Sequence, residues 1–109
     1  LCSLGEQRAY GELGAGAFAE QGELVSRIEK LLGNFCQPQK LNYLMLMMVD
    51  LHVHFHIIPR YEGERQFDGE SYTDSGWPSL PNLSSTLPAG PSLVGALRRE
   101  WDRNVKEGQ

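Results

Sequence analysis

The 109-residue chain carries 10 Lys and Arg against 14 Asp and Glu, which gives a formal net charge of −4. This length predicts a single domain spanning residues 1–109, and the acidic balance argues against a binder of polymeric nucleic acid. The longest apolar runs fall short of the ~20 residues that a membrane span requires, and no secretory signal is visible. We therefore expect a cytoplasmic protein that is not embedded in a membrane.

The first predicted element is a helix over residues 3–32. Ser3 and Glu6 match the S-x-x-E capping box, in which the two side chains accept hydrogen bonds from free backbone N–H groups at a helix start. Four glycines weaken the pattern and allow a break between residues 14 and 22. Gly33-Asn34 predicts the helix end. Because the chain starts with Leu directly before this helix, we expect it to be truncated at the N-terminus.

Two strands are predicted next. The apolar run at residues 40–49 lies between Pro38 and Asp50, and its length favours a buried strand over a helix. In residues 51–58 the histidines at positions 52, 54 and 56 alternate with the hydrophobic residues Val53, Phe55 and Ile57. This period of two is that of a strand with two different faces. Pro59 is expected to end this second strand. The short polar link around Asp50 favours an antiparallel pair.

The rest of the chain is predicted to be a long loop and a C-terminal helix. Residues 62–91 are rich in Gly, Pro, Ser and Asp and show no sustained period. Ser92 then caps a helix over residues 92–106, with Leu93, Leu97 and Trp101 on one side. The elements together predict an α+β fold, with an antiparallel sheet packed by the long helix and a second helix at the C-terminus.

All three histidines of the chain, His52, His54 and His56, lie on one face of the predicted 51–58 strand. A single histidine is usually a structural residue whose ring nitrogens have hydrogen-bond partners. Burying three unpaired rings on one face would carry a desolvation penalty for each, so this face is expected to border a polar cleft.

A metal site is one interpretation of these histidines. Alternate residues lie ~6.6 Å apart along a strand, so the backbones of His52 and His56 are separated by ~13 Å. Zinc ligands lie ~2.1 Å from the ion. Two neighbouring histidines can therefore share one ion but all three cannot, and a Cys, Asp or Glu from elsewhere would have to complete the site.

Nucleophilic catalysis is the other interpretation. A neutral imidazole is a good nucleophile near neutral pH, and its attack on phosphorus forms a phosphoramidate that water or another acceptor resolves. Two further imidazoles on the same face would supply donors for the phosphoryl oxygens and the leaving group.

The run His52-Val53-His54-Phe55-His56-Ile57-Ile58 matches the pattern His-φ-His-φ-His-φ-φ, where φ is hydrophobic, and in this it resembles the histidine-triad (HIT) family. The segments Pro59-Arg60-Tyr61 and Asn42-Tyr43-Leu44 are also similar to family members, and the likeness covers roughly residues 3–80. The chain departs from the family in two ways. It lacks the N-terminal strands, which often carry a fourth histidine in family members, and it has Met47-Met48 where many relatives have Gly-Asn.

The resemblance implies a homodimeric nucleotide hydrolase or nucleotidyl transferase with a HIT-like fold. It implies cleavage of a phosphoanhydride or phosphoramidate bond, in a dinucleoside polyphosphate or a nucleotide conjugate, without an obligatory cofactor or metal. His54 would be the nucleophile, His52 and His56 would assist it, and Asn42 would lie near the nucleotide. Arg60 and Lys40 are candidates of our own for offsetting phosphate charge. Because the N-terminal strands are missing, a nucleotide-binding module without catalysis stays an alternative, as does a His-ligated metalloenzyme.

Overall fold

The computed structural model describes residues 1–84, 87 and 89–107, the last three by their backbone alone, and it has an α+β fold. The elements in chain order are a 3-10 turn at Tyr10–Glu12, α1 at Ala15–Cys36, β1 at Lys40–Leu44, β2 at His56–Arg60, β3 at Glu64–Phe67, β4 at Glu70–Thr73 and α2 at Pro91–Glu107. The strands form two antiparallel sheets, β1–β2 and β3–β4, and α1 packs against α2. The predicted α+β class is confirmed.

The start of α1 differs from the prediction. The helix begins at Ala15 with Gly14 as its N-cap residue, so the predicted capping box at Ser3 and Glu6 is wrong. The Ser3 hydroxyl accepts a hydrogen bond from the Gly5 N–H at 3.2 Å instead, which is a local turn of the kind that competes with helix formation.

The end of α1 also differs. The helix continues through Gly33-Asn34 to Cys36, so the predicted stop is wrong. Gln37 follows in the left-handed conformation, at φ 45°, and Pro38 comes directly after it. A left-handed residue followed closely by proline is a common helix end, and here Gln37 takes the role that the sequence assigned to glycine.

The predicted antiparallel pairing of the two central strands is confirmed, but both strands are shorter than expected. Strand β1 ends at Leu44, which pairs with His56 at the start of β2. Residues 45–49 leave the sheet, and Met47 lies in the left-handed region at φ 52°. Strand β2 continues through Pro59, which was predicted to end it. The sheet has two strands, so each is an edge strand, where a residue without an N–H is tolerated.

The two faces of the β1–β2 sheet have different neighbours. Tyr43 lies on the face toward α1, because its hydroxyl donates a 2.5 Å hydrogen bond to the Glu29 carboxylate. By strand alternation the opposite face carries the register pairs Lys40–Arg60, Asn42–Ile58 and Leu44–His56. Four of the six side chains on this second face are polar.

A second hairpin lies in the region that was predicted to be a long loop. Strands β3 and β4 are joined by the two residues Asp68 and Gly69, at φ 52° and φ 80°. Two consecutive positive φ values are what a type I′ turn requires, and Asp-Gly is a strong signal for it. The loop prediction for residues 62–91 overlooked this signal. Residues 85, 86 and 88 of that region lie outside the described residues.

The C-terminal helix is confirmed within one residue at each end, but it begins at Pro91, so Ser92 lies inside its first turn and the predicted cap at Ser92 is wrong. Its side chains Leu97 and Trp101 border the same hollow as Leu31 of α1, so the predicted apolar side of α2 is the one that meets α1. In the part of the chain described, no helix combines the length and apolar character that crossing a bilayer requires.

Two glycines should respond in opposite ways to replacement by alanine. Gly69→Ala should lower the free energy of unfolding by about 1 kcal/mol or more, because φ 80° is unfavourable for a residue with a Cβ atom. Gly22→Ala should raise it by about 0.5–1 kcal/mol, since Gly22 lies inside α1 with nothing within 4 Å of an added Cβ. Urea unfolding measures both, and the same sign for the two variants would contradict this account of the turn.

Candidate functional site

The three histidines lie on the segment that leads into β2, and only His56 belongs to the strand itself. His54 forms an isolated antiparallel bridge with Cys2, and His52 lies in a bend. The predicted continuous strand over residues 51–58 is therefore wrong before His56. The bend has a local cause, because the Asp50 carboxylate accepts a hydrogen bond from the His52 backbone N–H at 3.0 Å.

The ring of His54 is oriented by the backbone. Its Nδ1 lies 2.7 Å from the carbonyl oxygen of His52. A carbonyl oxygen only accepts hydrogen bonds, so Nδ1 carries the proton and Nε2 keeps its lone pair in the neutral ring. The side chain is half-buried. The geometry thus fixes the tautomer and leaves Nε2 as the basic, nucleophilic nitrogen.

The ring of His56 lies beside that of His54. The two ring centroids are 5.2 Å apart and the planes meet at 79°, an edge-to-face arrangement. His56 is exposed to solvent. A second imidazole this close to a nucleophile is placed to donate a proton or a hydrogen bond to the group that the nucleophile attacks.

The ring of His52 is held by Asp50. Its Nδ1 lies 3.0 Å from the same Asp50 oxygen that accepts the His52 backbone N–H. The backbone hydrogen bond, together with the ring, lowers the pKa of the Asp50 carboxyl from its ordinary value. His52 and Arg8 both line an open pocket of about 550 Å³. Neither His54 nor His56 lines this pocket.

The backbone around His54 is held in place by the N-terminal residues. The N–H of Ser3 donates to the Val53 carbonyl at 2.8 Å, and the N–H of Phe55 donates to the Leu1 carbonyl at 2.7 Å. Val53 and Phe55 face a hollow of about 340 Å³ that α1 also lines, and Val53 is 3% exposed. Since neighbouring side chains in an extended segment alternate, His54 points to the other side, away from that hollow.

Asn42 and Arg60, the predicted nucleotide-binding residues, bond to each other. Arg60 is buried, at 4% exposure. Its guanidinium donates from Nη1 to the Asn42 side-chain oxygen at 2.6 Å and from Nε to Asp74 Oδ2 at 2.7 Å. Its Nη2 donates to the Ser79 carbonyl at 2.7 Å and to Asp74 Oδ1 at 3.3 Å. We call these four residues the Arg60 cluster. A nucleotide-binding role for Asn42 and Arg60 stays a prediction.

Asp74 is the member of the Arg60 cluster that sequence reasoning missed. It also accepts hydrogen bonds from the backbone N–H groups of Tyr61 and Gly76, each at 3.2 Å. The hydrogen bond from the Arg60 guanidinium holds the pKa of the Asp74 carboxyl below its ordinary value. Asp74 lies fourteen residues from Arg60, in a segment without a recognisable pattern, so no local signal identified it.

The segment before and at the start of β2 places the oriented His54 ring beside that of His56, and it pairs the His52 ring with the Asp50 carboxylate. Among the side chains of residues 1–84, 87 and 89–104, no three His, Cys, Asp or Glu are arranged to hold a metal ion. Comparisons of the chain with family models, with curated proteins and with solved structures found no match, so its function is inferred from the chemistry of the site and from the histidine motif.

Proposed function

We propose that the protein is a nucleotide hydrolase or nucleotidyl transferase of the histidine-triad type, with Nε2 of His54 as the nucleophile. The hydrogen bond from His54 Nδ1 to the His52 carbonyl carries this proposal. It keeps the proton on Nδ1 and the lone pair on Nε2, which is the state that a nucleophilic histidine needs.

The reaction has two displacements. Nε2 forms a bond to phosphorus while the bond from that phosphorus to the leaving group breaks, and the leaving atom departs with the electron pair and takes up a proton. Water then attacks the same phosphorus, the N–P bond breaks with its electrons returning to Nε2, and the water gives up a proton. Dividing one displacement into two in this way is the general advantage of a covalent intermediate.

The neighbouring histidines have separate roles in this proposal. His56, beside the His54 ring, donates a proton or hydrogen bond to the leaving group. His52 positions His54, because its carbonyl oxygen is the acceptor for Nδ1. The bend that Asp50 holds sets the direction of that carbonyl, so Asp50 supports the nucleophile indirectly.

The antiparallel pairing of β1 with β2 supports a HIT-like fold as part of the same proposal. In the motif the histidine strand follows a strand that carries an asparagine, and here Asn42 lies in β1 beside β2. The dinucleoside polyphosphates and nucleotide conjugates of that family are therefore the substrates to test first.

A trapping experiment tests the proposal. The protein is incubated with dinucleoside polyphosphates and nucleoside phosphoramidates of each base, labelled at the α-phosphorus, and quenched in alkali because phosphorus–histidine bonds are labile in acid. Mapping of peptides by mass spectrometry should place the nucleotidyl group on His54, and acid treatment should release it. His54→Ala, which lacks the proposed nucleophile, is the negative control for labelling.

Two results would overturn the proposal. A label on another residue would remove His54 from the nucleophile's role. Nucleotide binding without turnover and without any adduct would identify a binding module instead of an enzyme.

A further inference from the structure

A hollow of about 290 Å³ lies where the end of α1 and the start of α2 meet β2 and the β3–β4 hairpin. None of the three histidines lines it. Its wall from β2 is Pro59, which pairs with Leu41 and so lies on the same sheet face as Tyr43. The hollow is therefore on the face toward α1, and it is separate from the histidine site.

Aromatic side chains form much of the wall of this hollow, which we call the Tyr61 pocket; they are Phe35, Tyr61, Phe67 and Tyr72. The ring centroids of Phe35 and Phe67 are 5.7 Å apart, and leucines from both helices add apolar surface. Concave sites of this composition, with few polar groups, are typical of small-molecule binding. Aromatic walls favour a planar aromatic ligand, because ring pairs attract each other beyond the burial of apolar area.

Arg65 is the one charged side chain among the described residues that line the Tyr61 pocket. Its Nε donates to the Cys36 carbonyl at 2.7 Å, and its Nη2 donates to the Gln37 carbonyl at 2.9 Å. Its Nη1 donates to the Glu64 carbonyl at 3.1 Å. Backbone carbonyls thus occupy each guanidinium nitrogen, while the positive charge repels a cation. The pocket therefore suits an uncharged ligand.

The Tyr61 hydroxyl is a hydrogen-bonding group without a partner. Tyr61 is 9% exposed; its backbone N–H donates to Asp74, but its hydroxyl has no hydrogen-bond partner among the described residues. Burial raises the pKa of this hydroxyl, so it keeps its proton and can donate. Buried tyrosine hydroxyls usually have a partner, and an acceptor atom of a bound molecule would supply one.

We propose that the Tyr61 pocket binds a small, uncharged heteroaromatic molecule whose acceptor atom receives a hydrogen bond from the Tyr61 hydroxyl. The planar body of the ligand lies among the rings of Phe35, Phe67 and Tyr72. This is a second ligand site, and it does not depend on the reaction assigned to His54.

Quinoline is a suitable probe, because it is planar, uncharged near neutral pH and has one acceptor nitrogen. A titration followed by amide chemical shifts should show saturable changes at residues 32–37 and 65–67 and little change at His54. Quinoline at ten times its Kd should also slow alkylation of the Cys36 thiol, which lines the pocket, about tenfold, since only about a tenth of the sites stay free. Cys2 does not line the pocket, so its alkylation rate is the internal control and should not change.

A matched pair of tyrosine variants tests the hydrogen bond. Tyr61→Phe removes the hydroxyl and keeps the ring, so the Kd for quinoline should rise about fivefold. Tyr43→Phe makes the same change outside the pocket, where the hydroxyl donates to Glu29, and should leave this Kd unchanged. Equal Kd values in Tyr61→Phe and the unmodified protein, the absence of saturable binding, or equal protection of both thiols would overturn the proposal.

Discussion

Replacing His54 by alanine should lower kcat/KM for nucleotide cleavage by at least about a thousandfold and abolish the covalent adduct. Removal of the nucleophile eliminates the two-step route, and losses of this size or greater are typical when a nucleophile is deleted. His54 is only half-buried, and its ring makes one hydrogen bond, to the His52 carbonyl, and one ring contact, with His56. Thermal unfolding of the variant should therefore stay close to that of the unmodified protein.

His52→Ala is the matched control for His54→Ala. It removes the same kind of side chain two residues away, but it leaves the His52 carbonyl that orients His54. Because the proposal gives the His52 ring no proton-transfer role, the loss in kcat/KM should stay below the roughly hundredfold effect of removing a general acid or base, and the adduct on His54 should still form. Equal losses in the two variants, or full turnover by His54→Ala, would contradict the assigned roles.

Arg60→Ala should lower the free energy of unfolding by about 3 kcal/mol, as expected when one partner of a buried ion pair is removed. The side chains of Arg60 and Asp74 are 5% and 9% exposed, so the remaining carboxylate would be left desolvated and without its counter-ion. The same change also leaves the Asn42 side chain and the Ser79 carbonyl without their donor. A small domain is stable by only about 5–15 kcal/mol, so this loss is a large share of the total.

Arg27→Ala provides the comparison for Arg60→Ala. Arg27 is an exposed arginine on α1, and its removal should change the free energy of unfolding by no more than about 0.5 kcal/mol. Urea unfolding with a common slope gives both values. A destabilisation by Arg60→Ala as small as that of Arg27→Ala would show that the Arg60 cluster does not hold the fold together.

The Arg60–Asp74 pair should also make stability depend on pH. The hydrogen bond from Arg60 lowers the folded-state pKa of the Asp74 carboxyl below its ordinary value, so the folded state favours the carboxylate. Its contribution is complete above the unfolded-state value, near pH 4, and is lost as the pH falls through the lower folded-state value. Urea midpoints measured between pH 7 and pH 2 should fall more steeply in the unmodified protein than in Asp74→Asn. Parallel curves would contradict the assignment.

Sequence patterns predicted the elements that depend on side-chain periodicity. Helix α2 and the antiparallel pairing of β1 with β2 were predicted correctly, because apolar spacing and a break between two apolar runs are visible locally. The start of α1 was predicted wrongly because Ser3 belongs to a segment that pairs with Val53, fifty residues away. A capping pattern in the sequence gives no information about a distant segment that pairs with the same residues.

The histidine site was located by sequence, but its geometry was not. Three alternating histidines predicted one regular strand, whereas Asp50 bends the chain at His52 and only His56 joins β2. The tautomer of His54 depends on that bend, since it places the His52 carbonyl against Nδ1. Asp74 was missed for a similar reason, because it meets Arg60 through a tertiary contact that no spacing rule encodes.

The composition of the interior has a consequence for local opening. Among the described residues, the most deeply enclosed are Val53, Arg60, Tyr61 and Asn104, and two of these four are polar. Around Arg60 cohesion depends on directional polar bonds to Asn42, Asp74 and Ser79, whereas the buried side-chain oxygen and nitrogen of Asn104 have no hydrogen-bond partner among the described residues. Backbone amides near residues 60 and 61 should then exchange with deuterium most slowly. The outer turns of α1 should exchange faster, through local fraying that does not require global unfolding.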